Sequence, residues 1–428
     1  MRRASPPEQL HHASQLSIAC LGVAVATLKR GCAHFVEKGN NLVFSESVHK
    51  VEGPEPQLGD NVVVCDYKRK IVGWGVFNPR SVYRIRMMQT MPECQEDTTA
   101  VLDVISVFRS RLLTAIELRT ALGLPSSATN AFRVVHGDGD NLSGVNVDKF
   151  RDVVVVHSGV SWLELNRDAV IECLRSTMGV DTVVWRLRPV ISDQEGIPNA
   201  IERIYTSRSD ITLSSEIEIV ENDLRFLIAL AGQKTGFYTD QRENRFFLRG
   251  IVRGRRVLDL CCYTGGFALN AALGDAESVL GIDSSQPAID LARRNADLND
   301  LNQICRFECG DILNRLQVAA ANGEEWDVVV LDPPKLAFSK LHLTKSLGRY
   351  RKLNRAAIKV VRRGGILMTC SCSGLINVDQ FIKAVCEAAQ QIGRRLTIVR
   401  IAGAAADHVI SISHREGAYL KCLTVRVT

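Results

Sequence analysis

An α/β fold, with a mainly parallel open sheet in the C-terminal half, is predicted for this chain of 428 residues by three observations. Apolar runs of strand length alternate with helical patterns from residue 222 onward. The glycine pair Gly265-Gly266 forms a tight turn between one such run and a helix, and the next run ends on Asp283. This alternation brings the carboxyl ends of the strands to one edge of a sheet, where open α/β sheets bind their ligands.

Length and composition place this sheet in a larger protein. The length suggests about three domains, and a hydrophobic content of 46% can supply their cores. The net charge of +6 is compatible with nucleic-acid binding without being diagnostic of it. Thirteen cysteines without a regular spacing indicate a reduced, intracellular chain. We predict a leader at residues 1–20 and three domains at residues 21–92, 93–221 and 222–428.

The predicted leader contains paired arginines and paired histidines but a single acid, Glu8. A disordered leader and a short organellar transit peptide both fit this composition. The apolar run at residues 17–28 is shorter than the ~20 residues of a membrane span, and we expect it to open the first domain as a strand. We therefore expect a cytoplasmic protein, with a mitochondrial or plastid location as the alternative.

Residues 21–92 are predicted to form a small β-barrel, because short alternating apolar runs are separated by turn residues. These runs lie at residues 23–28, 61–66, 71–77 and 82–87. Basic and aromatic residues interleave along them, namely Tyr67, Lys68, Arg69, Lys70, Trp74, Phe77, Arg80, Tyr83, Arg84 and Arg86. Two interpretations stay open, a nucleic-acid surface and a solvated face over core aromatics.

The second domain is predicted to be α+β, with helices at residues 100–122 and 162–177. Its strands are expected at residues 132–135, 153–156 and 182–185. In the third domain, strands are predicted at residues 256–260, 279–282, 305–308, 327–331, 365–370, 396–401 and 420–426. Helices between most of these strands predict a mainly parallel sheet with a late antiparallel edge.

The glycine turn after residues 256–260 indicates a site for an adenosine-containing cofactor, because backbone without side chains lets a ligand lie against it. A dinucleotide site needs Gly-x-Gly-x-x-Gly to hold a pyrophosphate, but here Asp259 precedes only Gly265-Gly266. An acid at this strand end suits a cofactor with an ammonium group, such as S-adenosylmethionine. Asp283 is expected to take the ribose hydroxyls. A turn that only closes a βα unit is the alternative.

A second motif, Asp332-Pro333-Pro334-Lys335, follows the apolar run at residues 327–331. Two prolines make a stiff extended turn whose carbonyls face outward. Such a turn can hold the edge of a flat base, while the Asp332 carboxylate accepts a hydrogen bond from a ring nitrogen or shares a proton with it. A turn that merely ends a strand is the alternative.

Two cysteines, Cys370 and Cys372, end the strand predicted after that motif, and alternation places them on the same side. A thiolate beside a base-holding turn can add to carbon 6 of a pyrimidine, which makes carbon 5 nucleophilic enough to take a methyl group. Methylation of an amine or a ring nitrogen needs no such nucleophile. The alternative is a pair of small buried side chains; a metal pair is disfavoured because no matching Cys/His pair has ligand spacing.

The C-terminal domain resembles the bacterial large-subunit rRNA cytosine-5 methyltransferase I family. The matching stretches are residues 232–242, 263–267, 332–335 and 371–375. The resemblance implies a Rossmann-like class I methyltransferase sheet at the C-terminus, a PUA-like RNA-binding barrel at the N-terminus and the α+β domain between them. It also implies S-adenosylmethionine as the methyl donor and structured RNA, most plausibly large-subunit ribosomal RNA, as the substrate.

The resemblance further assigns roles to individual residues. Cys372 is expected to be the nucleophile and Asp332 to orient or protonate the cytosine ring. Lys335, the nearest cation by motif, is expected to make the cysteine pocket electropositive, which a thiolate requires. The cofactor is expected to contact Phe237, Asp240, Arg242, Asp259, Tyr263, Thr264, Gly265, Gly266, Asp283, Asp311 and Asp332. His408 is either a base for the carbon 5 proton or a structural histidine of a turn.

Two other functions remain open. A guanine N-methyltransferase would share Asp332-Pro333-Pro334, but exocyclic-amine enzymes usually place an aromatic residue where this chain has Lys335. An inactive RNA-binding relative would keep the fold without the chemistry. Cys372 argues against the first, and the intact set of Asp283, Asp332 and Cys372 argues against the second.

Overall fold

The structure is a computed structural model that describes residues 22–96, 102–187, 194–197, 203–206, 208–212, 215–230, 236–413 and 415–428. The predicted leader lies outside these residues, as do residues 232–235 of the first matching stretch.

The chain divides into two compact units. The first takes its described residues from Met1–Ala121, Val134–Thr212 and Val409–Arg415. The second takes them from Leu122–Arg133, Leu213–His408 and Glu416–Thr428. The first unit therefore draws on both the predicted barrel and the predicted middle domain. The predicted boundaries after residues 20, 92 and 221 stay predictions.

The first sheet of the first unit has six strands in the order β2-β6-β5-β4-β1-β3. They are β1 (Ala24–Leu28), β2 (Leu42–Phe44), β3 (Val48–Glu52), β4 (Asn61–Cys65), β5 (Ile71–Phe77) and β6 (Tyr83–Thr90). The four predicted runs correspond to β1, β4, β5 and β6. The sequence pattern does not indicate β2, β3 or the helix α1 (Ala33–Glu37), because β2 has three residues and β3 is largely polar and exposed.

The second sheet of this unit has the order β11-β10-β9-β8-β7. Its strands are β7 (Ala131–His136), β8 (Val145–Phe150), β9 (Val153–Ser158), β10 (Thr182–Leu187) and β11 (Arg203–Tyr205). The helices are α2 (Met91–Glu96), α3 (Val104–Ala121), α4 (Ser161–Leu165) and α5 (Arg167–Met178). The single helix predicted at residues 162–177 is thus two helices. Asn166 separates them, and its side chain donates 2.7 Å to the carbonyl of Trp162, which competes with helical backbone bonding.

The buried carboxylate of Glu195 contacts both β6 and the residue that follows β5. Arg86 donates to it at 2.9 Å and Asn78 at 3.0 Å. A buried charge is tolerated only when it is paired and hydrogen-bonded. Arg86 is therefore a structural residue, and the buried Trp74 and Phe77 belong to the core. For these three residues the interpretation as a nucleic-acid surface is wrong, whereas Tyr67, Lys68 and Arg69 are exposed.

The second unit contains a hairpin of β12 (Glu216–Glu221) and β13 (Leu224–Ala229). Its two-residue turn, Asn222-Asp223, has φ values of 49° and 68°. Left-handed residues of this kind match the twist of a tight hairpin, and asparagine and aspartate tolerate them.

The main sheet of the second unit has seven strands in the order β16-β15-β14-β17-β18-β20-β19. They are β14 (Arg256–Leu260), β15 (Ser278–Asp283), β16 (Cys305–Cys309), β17 (Trp326–Leu331), β18 (Val361–Ser371), β19 (Leu396–Ala402) and β20 (Lys421–Val427). The helices are α6 (Arg242–Arg249), α7 (Gly266–Leu273), α8 (Gln286–Leu298), α9 (Ile312–Ala321), α10 (Leu343–Lys359) and α11 (Val378–Gln390). All seven predicted strands are present, and β20 pairs antiparallel with both β18 and β19.

The strand order reverses at β14, which has β15 on one side and β17 on the other, both parallel to it. Helices leave these strands in opposite directions at such a point, so a crevice opens at their carboxyl ends. Asp283 ends β15 and Asp332 follows β17, so both predicted carboxylates belong to this crevice.

Candidate active site

The turn after β14 has an unusual backbone. Cys261, Tyr263 and Gly265 have φ values of 63°, 50° and 87°. A Cβ on Gly265 would also lie 3.2 Å from the Phe307 ring, so glycine is required there for conformation and for space. The buried Thr264 holds the turn, because its carbonyl accepts 3.1 Å from Asn295. The predicted glycine turn thus leads directly into α7 at Gly266.

Asp259 is fully buried beneath this turn. Its Oδ2 accepts 2.9 Å from the backbone N–H of Ala268, in the first turn of α7, where helical N–H groups lack partners. Burial raises the pKa of Asp259 to about 8. Its Oδ1 is buried and has no hydrogen-bond partner in the described part of the chain, so one acceptor remains for a ligand. Anchoring α7 is a role that the sequence does not indicate; contact with the cofactor ammonium stays a prediction.

Asp283 and Asp311, which are also predicted to contact the cofactor, differ in exposure. Asp283 is half-buried, and its two oxygens accept 2.9 Å hydrogen bonds from the backbone N–H groups of Tyr263 and Ser285. A carboxylate has about four acceptor sites, so Asp283 retains capacity for two ribose hydroxyls. Asp311 is exposed and caps α9 by accepting 2.8 Å from the N–H of Asn314. Its contact with the adenine edge stays a prediction.

Three residues predicted to border the cofactor hold elements together in this structure. The ring of Phe237 is buried between Phe226, at a centroid distance of 4.9 Å, and the guanidinium of Arg245, at 4.7 Å. Arg242 forms a buried bidentate pair with Asp407, at 3.0 and 2.9 Å. These contacts give Phe237 and Arg242 a packing role within the stretch at 236–242.

Asp240, the third of these residues, accepts 2.6 Å from the Tyr419 hydroxyl. The neighbouring Asp407 also accepts 3.1 Å from Nδ1 of His408, which is buried. Burial opposes the ionisation of Asp407, but His408 and Arg242 outweigh it and lower the pKa of Asp407. This environment favours the structural interpretation of His408 over that of a base.

Asp332 is half-buried at the end of β17, and its Oδ2 accepts 3.1 Å from Nε2 of Gln241. Gln241 is buried and is itself held by Asn244, which donates 2.7 Å to its Oε1. Asn244 in turn accepts 3.1 Å from Arg400 on β19. A chain of three polar side chains therefore orients the Asp332 carboxylate. The sequence stretch contains Gln241, but nothing in its pattern indicates this role.

The two cysteines of β18 have different environments. Cys370 is fully buried and lies directly opposite Cys422 on β20. Its hydrogen bond with Cys422, together with burial, raises the pKa of Cys370 well above its ordinary value. Cys372 lies beyond the end of the strand and is partly exposed, with its Sγ 4.0 Å from the carbonyl oxygen of Pro333. Of the two thiols, only Cys372 lies at the Asp-Pro-Pro turn with access to solvent.

The serines on either side of Cys372 fasten it to that turn. Ser373 is buried, and its Oγ accepts from the backbone N–H groups of Leu336 and Ala337 at 3.3 and 3.2 Å. Ser371 and Ser373 both hydrogen-bond the Tyr350 hydroxyl of α10, each at 3.0 Å. Hydroxyls that satisfy buried backbone donors fix the loop that carries the thiol.

The role predicted for Lys335 beside Cys372 stays a prediction. Lys335 is exposed, and its ammonium lies 5.8 Å from the centroid of the Phe338 ring. The buried cation beside Cys372 is Lys421, whose Nζ donates 2.6 Å to the carbonyl of Ser373 and 2.8 Å to that of Tyr419. Burial lowers the pKa of Lys421 to about 8, against the opposing effect of a Cys372 thiolate.

The residues around the carboxyl end of β14, where the strand order reverses, fit S-adenosylmethionine. Asp283 offers free acceptor sites for a ribose, Asp259 has a buried oxygen without a partner, and the Gly265 turn presents backbone instead of side chains. The T-shaped pair of Tyr238 and Tyr263, with centroids 5.2 Å apart, adds an aromatic wall to the turn.

Comparison with known proteins agrees with this geometry. The profile of S-adenosylmethionine-dependent methyltransferases matches residues 206–399, and that of PUA-like domains matches residues 26–90. The ribosomal RNA large subunit methyltransferase I of Photobacterium profundum is 33% identical over 400 residues, which cover 92% of this chain and 97% of the relative. The same enzyme of Tolumonas auensis is 34% identical, with 90% and 94% covered.

This chain belongs to the ribosomal RNA large subunit methyltransferase I family. The predicted fold class is confirmed, with a PUA-like domain before a methyltransferase domain, and S-adenosylmethionine is confirmed as the cofactor. A methyltransferase crystallised with SAH superposes with a TM-score of 0.77 at 18% identity, covering 94% of this chain and 99% of that one. A methyltransferase from Streptococcus mutans has a TM-score of 0.76 at 19% identity. These two likenesses concern the fold.

Two residues of the candidate site, Gln241 and Lys421, are not indicated by sequence reasoning. Gln241 lies inside the matching stretch at 232–242, next to the predicted Arg242, and that position is the one signal that could have indicated it. Lys421 is distant in sequence from Cys372, and only the pairing of Ser371 with Lys421 across β18 and β20 brings it there. Within the described ranges, no helix combines the length and the apolar character that a membrane crossing requires.

Proposed function

We propose that this protein methylates carbon 5 of a cytosine in large-subunit ribosomal RNA through a covalent adduct with Cys372. Relatives that carry the name of a large-subunit ribosomal RNA methyltransferase over nearly their whole length support the substrate. The observation that carries the choice of atom is the partly exposed Cys372 thiol against the Asp332-Pro333-Pro334 turn. A nitrogen acceptor would need no nucleophile there. We propose the cytoplasm as the location.

The reaction begins when the target cytosine leaves its stack and its edge meets the Asp-Pro-Pro turn, which costs a few kcal/mol of unstacking. The Cys372 thiolate forms a C–S bond to carbon 6, and the displaced electron pair makes carbon 5 nucleophilic. A proton shared between the Asp332 carboxyl group, which Gln241 holds, and ring nitrogen N3 neutralises the negative charge that develops on the ring, and that proton returns to Asp332 when the C–S bond breaks. Holding the thiol and the base in place supplies much of the acceleration.

Bound S-adenosylmethionine supplies the methyl group as an electrophile and leaves as S-adenosylhomocysteine. Carbon 5 then loses its proton to a base, the C–S bond breaks, and the Cys372 thiolate is restored. The buried ammonium of Lys421 stabilises that thiolate at the start and the end of the cycle.

The proposal is tested with RNA that contains 5-fluorocytosine, because fluorine at carbon 5 cannot leave as a proton. We expect a methylated adduct between enzyme and RNA that survives denaturation, with peptide mapping to Cys372. With unmodified RNA, nucleoside mass spectrometry is expected to show 5-methylcytidine. Methylguanosine as the product, or the absence of an adduct, would contradict the proposal.

A further inference from the structure

The positive charge of this protein is concentrated in one segment. Residues 333–378 contain ten lysines and arginines but no aspartate or glutamate, whereas the whole chain has a net charge of only +6. The rest of the chain is therefore net negative. Charge segregated in this way creates a local potential that attracts polyanions and steers their approach.

The helix α10 divides these cations between two environments. Arg351 pairs with Glu387 at 2.9 Å, and Arg355 bonds Gln391 at 3.2 Å, so both are tied to α11 and the loop after it. Lys345, Arg349 and Lys352 are exposed, and none of them forms an ion pair in the part of the chain that the structure describes. Their spacing of four and three residues places them on one face of the helix. We call these three residues the basic face.

A groove of about 130 Å³ lies where the basic face begins. It is lined by Leu336, Phe338, His342, Lys345, Ser346 and Arg349. The Ser346 hydroxyl donates 2.9 Å to the carbonyl of Leu336, which fastens the start of α10 to the loop after Asp332-Pro333-Pro334. The groove and the basic face are therefore continuous with the base-holding turn.

One aromatic side chain in this groove has no packing role. Phe338 is 75% exposed, although it is a large apolar residue that burial would stabilise. The Lys335 ammonium lies 5.8 Å from its ring centroid, within the range of a cation–π contact. An exposed aromatic ring among lysines and arginines is the combination that holds single-stranded nucleic acid, because bases stack on the ring and cations track the phosphates.

We propose that the basic face of α10 and Phe338 bind the RNA strand that flanks the target nucleotide. Lys345, Arg349 and Lys352 contact successive phosphates, and an unstacked neighbouring base lies on the Phe338 ring. The proposal rests on the proposed function for its choice of RNA as the ligand. It assigns to Lys335 and its neighbours the task of holding the substrate, in place of the task of activating Cys372.

The test measures the affinity for a labelled single-stranded RNA drawn from large-subunit ribosomal RNA as a function of salt. The variant carries Lys345→Gln, Arg349→Gln and Lys352→Gln. Each lost phosphate contact removes about 0.7 from the slope of log K against log salt for a single strand, so we expect the slope to fall by about 2. A matched control, Arg253→Gln, Arg306→Gln and Arg395→Gln, removes the same charge from exposed positions outside the segment.

The Phe338→Ala variant has a different expected signature. Loss of a stacked base weakens binding about tenfold without changing the salt slope, because no phosphate contact is lost. S-adenosylmethionine binding by calorimetry is expected to be unchanged in all three variants, which shows that they are folded. A wild-type slope in the basic-face variant, or an equal loss in the control, would overturn the proposal. These readouts need no methyl transfer, so they are independent of whether the product is 5-methylcytidine.

Discussion

The Nζ of Lys421 donates a 2.6 Å hydrogen bond to the carbonyl oxygen of Ser373, the residue that follows Cys372. Lys421 is buried, and no carboxylate pairs with it in the described part of the chain. A buried ammonium without a counterion is unfavourable. A thiolate at Cys372 would provide that counterion, so the nucleophile and the cation stabilise each other's charged forms.

We expect Lys421→Met to lower kcat by about 10- to 100-fold at neutral pH, because the thiolate loses its nearby cation and the pKa of Cys372 rises. The pH profile of kcat is expected to move to higher pH. Lys421→Arg keeps the charge and is expected to keep part of the activity, while Lys383→Met, on the exposed face of α11, serves as the control. An unchanged pH profile in Lys421→Met would exclude this role.

The contribution of Lys421 to the free energy of unfolding should change with pH over one specific range. Burial lowers the pKa of Lys421 to about 8 from its ordinary 10.5. Between these values the unfolded chain holds a proton that the folded chain has released, so the free energy of unfolding rises with pH there. Relative to Lys421→Met, the wild type is expected to gain stability from about pH 8 to 10.5 and to be flat below pH 8. Urea denaturation at a series of pH values measures the difference.

The two cysteines of β18 should separate activity from stability. We expect Cys372→Ala to abolish methyl transfer while S-adenosylmethionine binding, measured by calorimetry, stays at the wild-type level. Cys370→Ala removes a fully buried side chain and is expected to cost about 1 kcal/mol of stability, with most activity kept. The opposite pattern of activities would transfer the nucleophile to Cys370.

Gln241 should act through Asp332 and not through the substrate. Gln241→Leu is expected to lower kcat about tenfold, with little change in KM, because the carboxylate loses the donor that orients it. Gln241→Glu places a second carboxylate beside Asp332 and is expected to raise the pKa of Asp332, which moves the limb of the pH profile that reports Asp332 to higher pH. A purely structural role would lower the melting temperature without moving the profile.

The Arg242–Asp407 pair should matter far more for folding than an exposed pair of the same geometry. Asp407→Asn leaves a buried guanidinium unpaired and is expected to cost about 3–5 kcal/mol. The pair of Arg225 and Glu218, also bidentate, at 2.8 and 2.9 Å, is solvent-exposed, and Glu218→Gln is expected to leave the denaturant midpoint nearly unchanged. Denaturant midpoints of the two variants, compared in one buffer, test the contrast.

The Arg242–Asp407 pair should also affect how the stability of the protein falls on acidification. The pKa of Asp407 is lowered in the folded protein, so its contribution is present above the pKa of the unfolded chain and is lost as pH falls through the folded value. The Asp407→Asn variant is therefore expected to lose less stability than the wild type on acidification. An identical acid response in both proteins would show that Asp407 is not ionised in the fold.

Local patterns were sufficient for the strands and the cofactor turn of the second unit. Apolar runs of strand length predict β14 to β20, and the pair Gly265-Gly266 predicts the turn because Gly265 has a φ of 87°, a conformation that favours glycine. Short or polar elements such as β2 and β3 escape this reasoning, since three residues carry no measurable period. Lys421 escapes it for a related reason, because no sequence pattern shows that a residue 48 positions after Ser373 lies beside it.

By itself, the sequence determined the fold class and the methyl donor and predicted the pair Asp332 and Cys372, because each depends on residues close together in the chain or on strand periodicity. Only the tertiary structure decided which groups tune that pair. Gln241 reaches Asp332 and Lys421 reaches the Cys372 loop through contacts that span 91 and 48 residues. The pairing of β18 with β20 and the burial of each side chain set those contacts, and neither is encoded in any local motif.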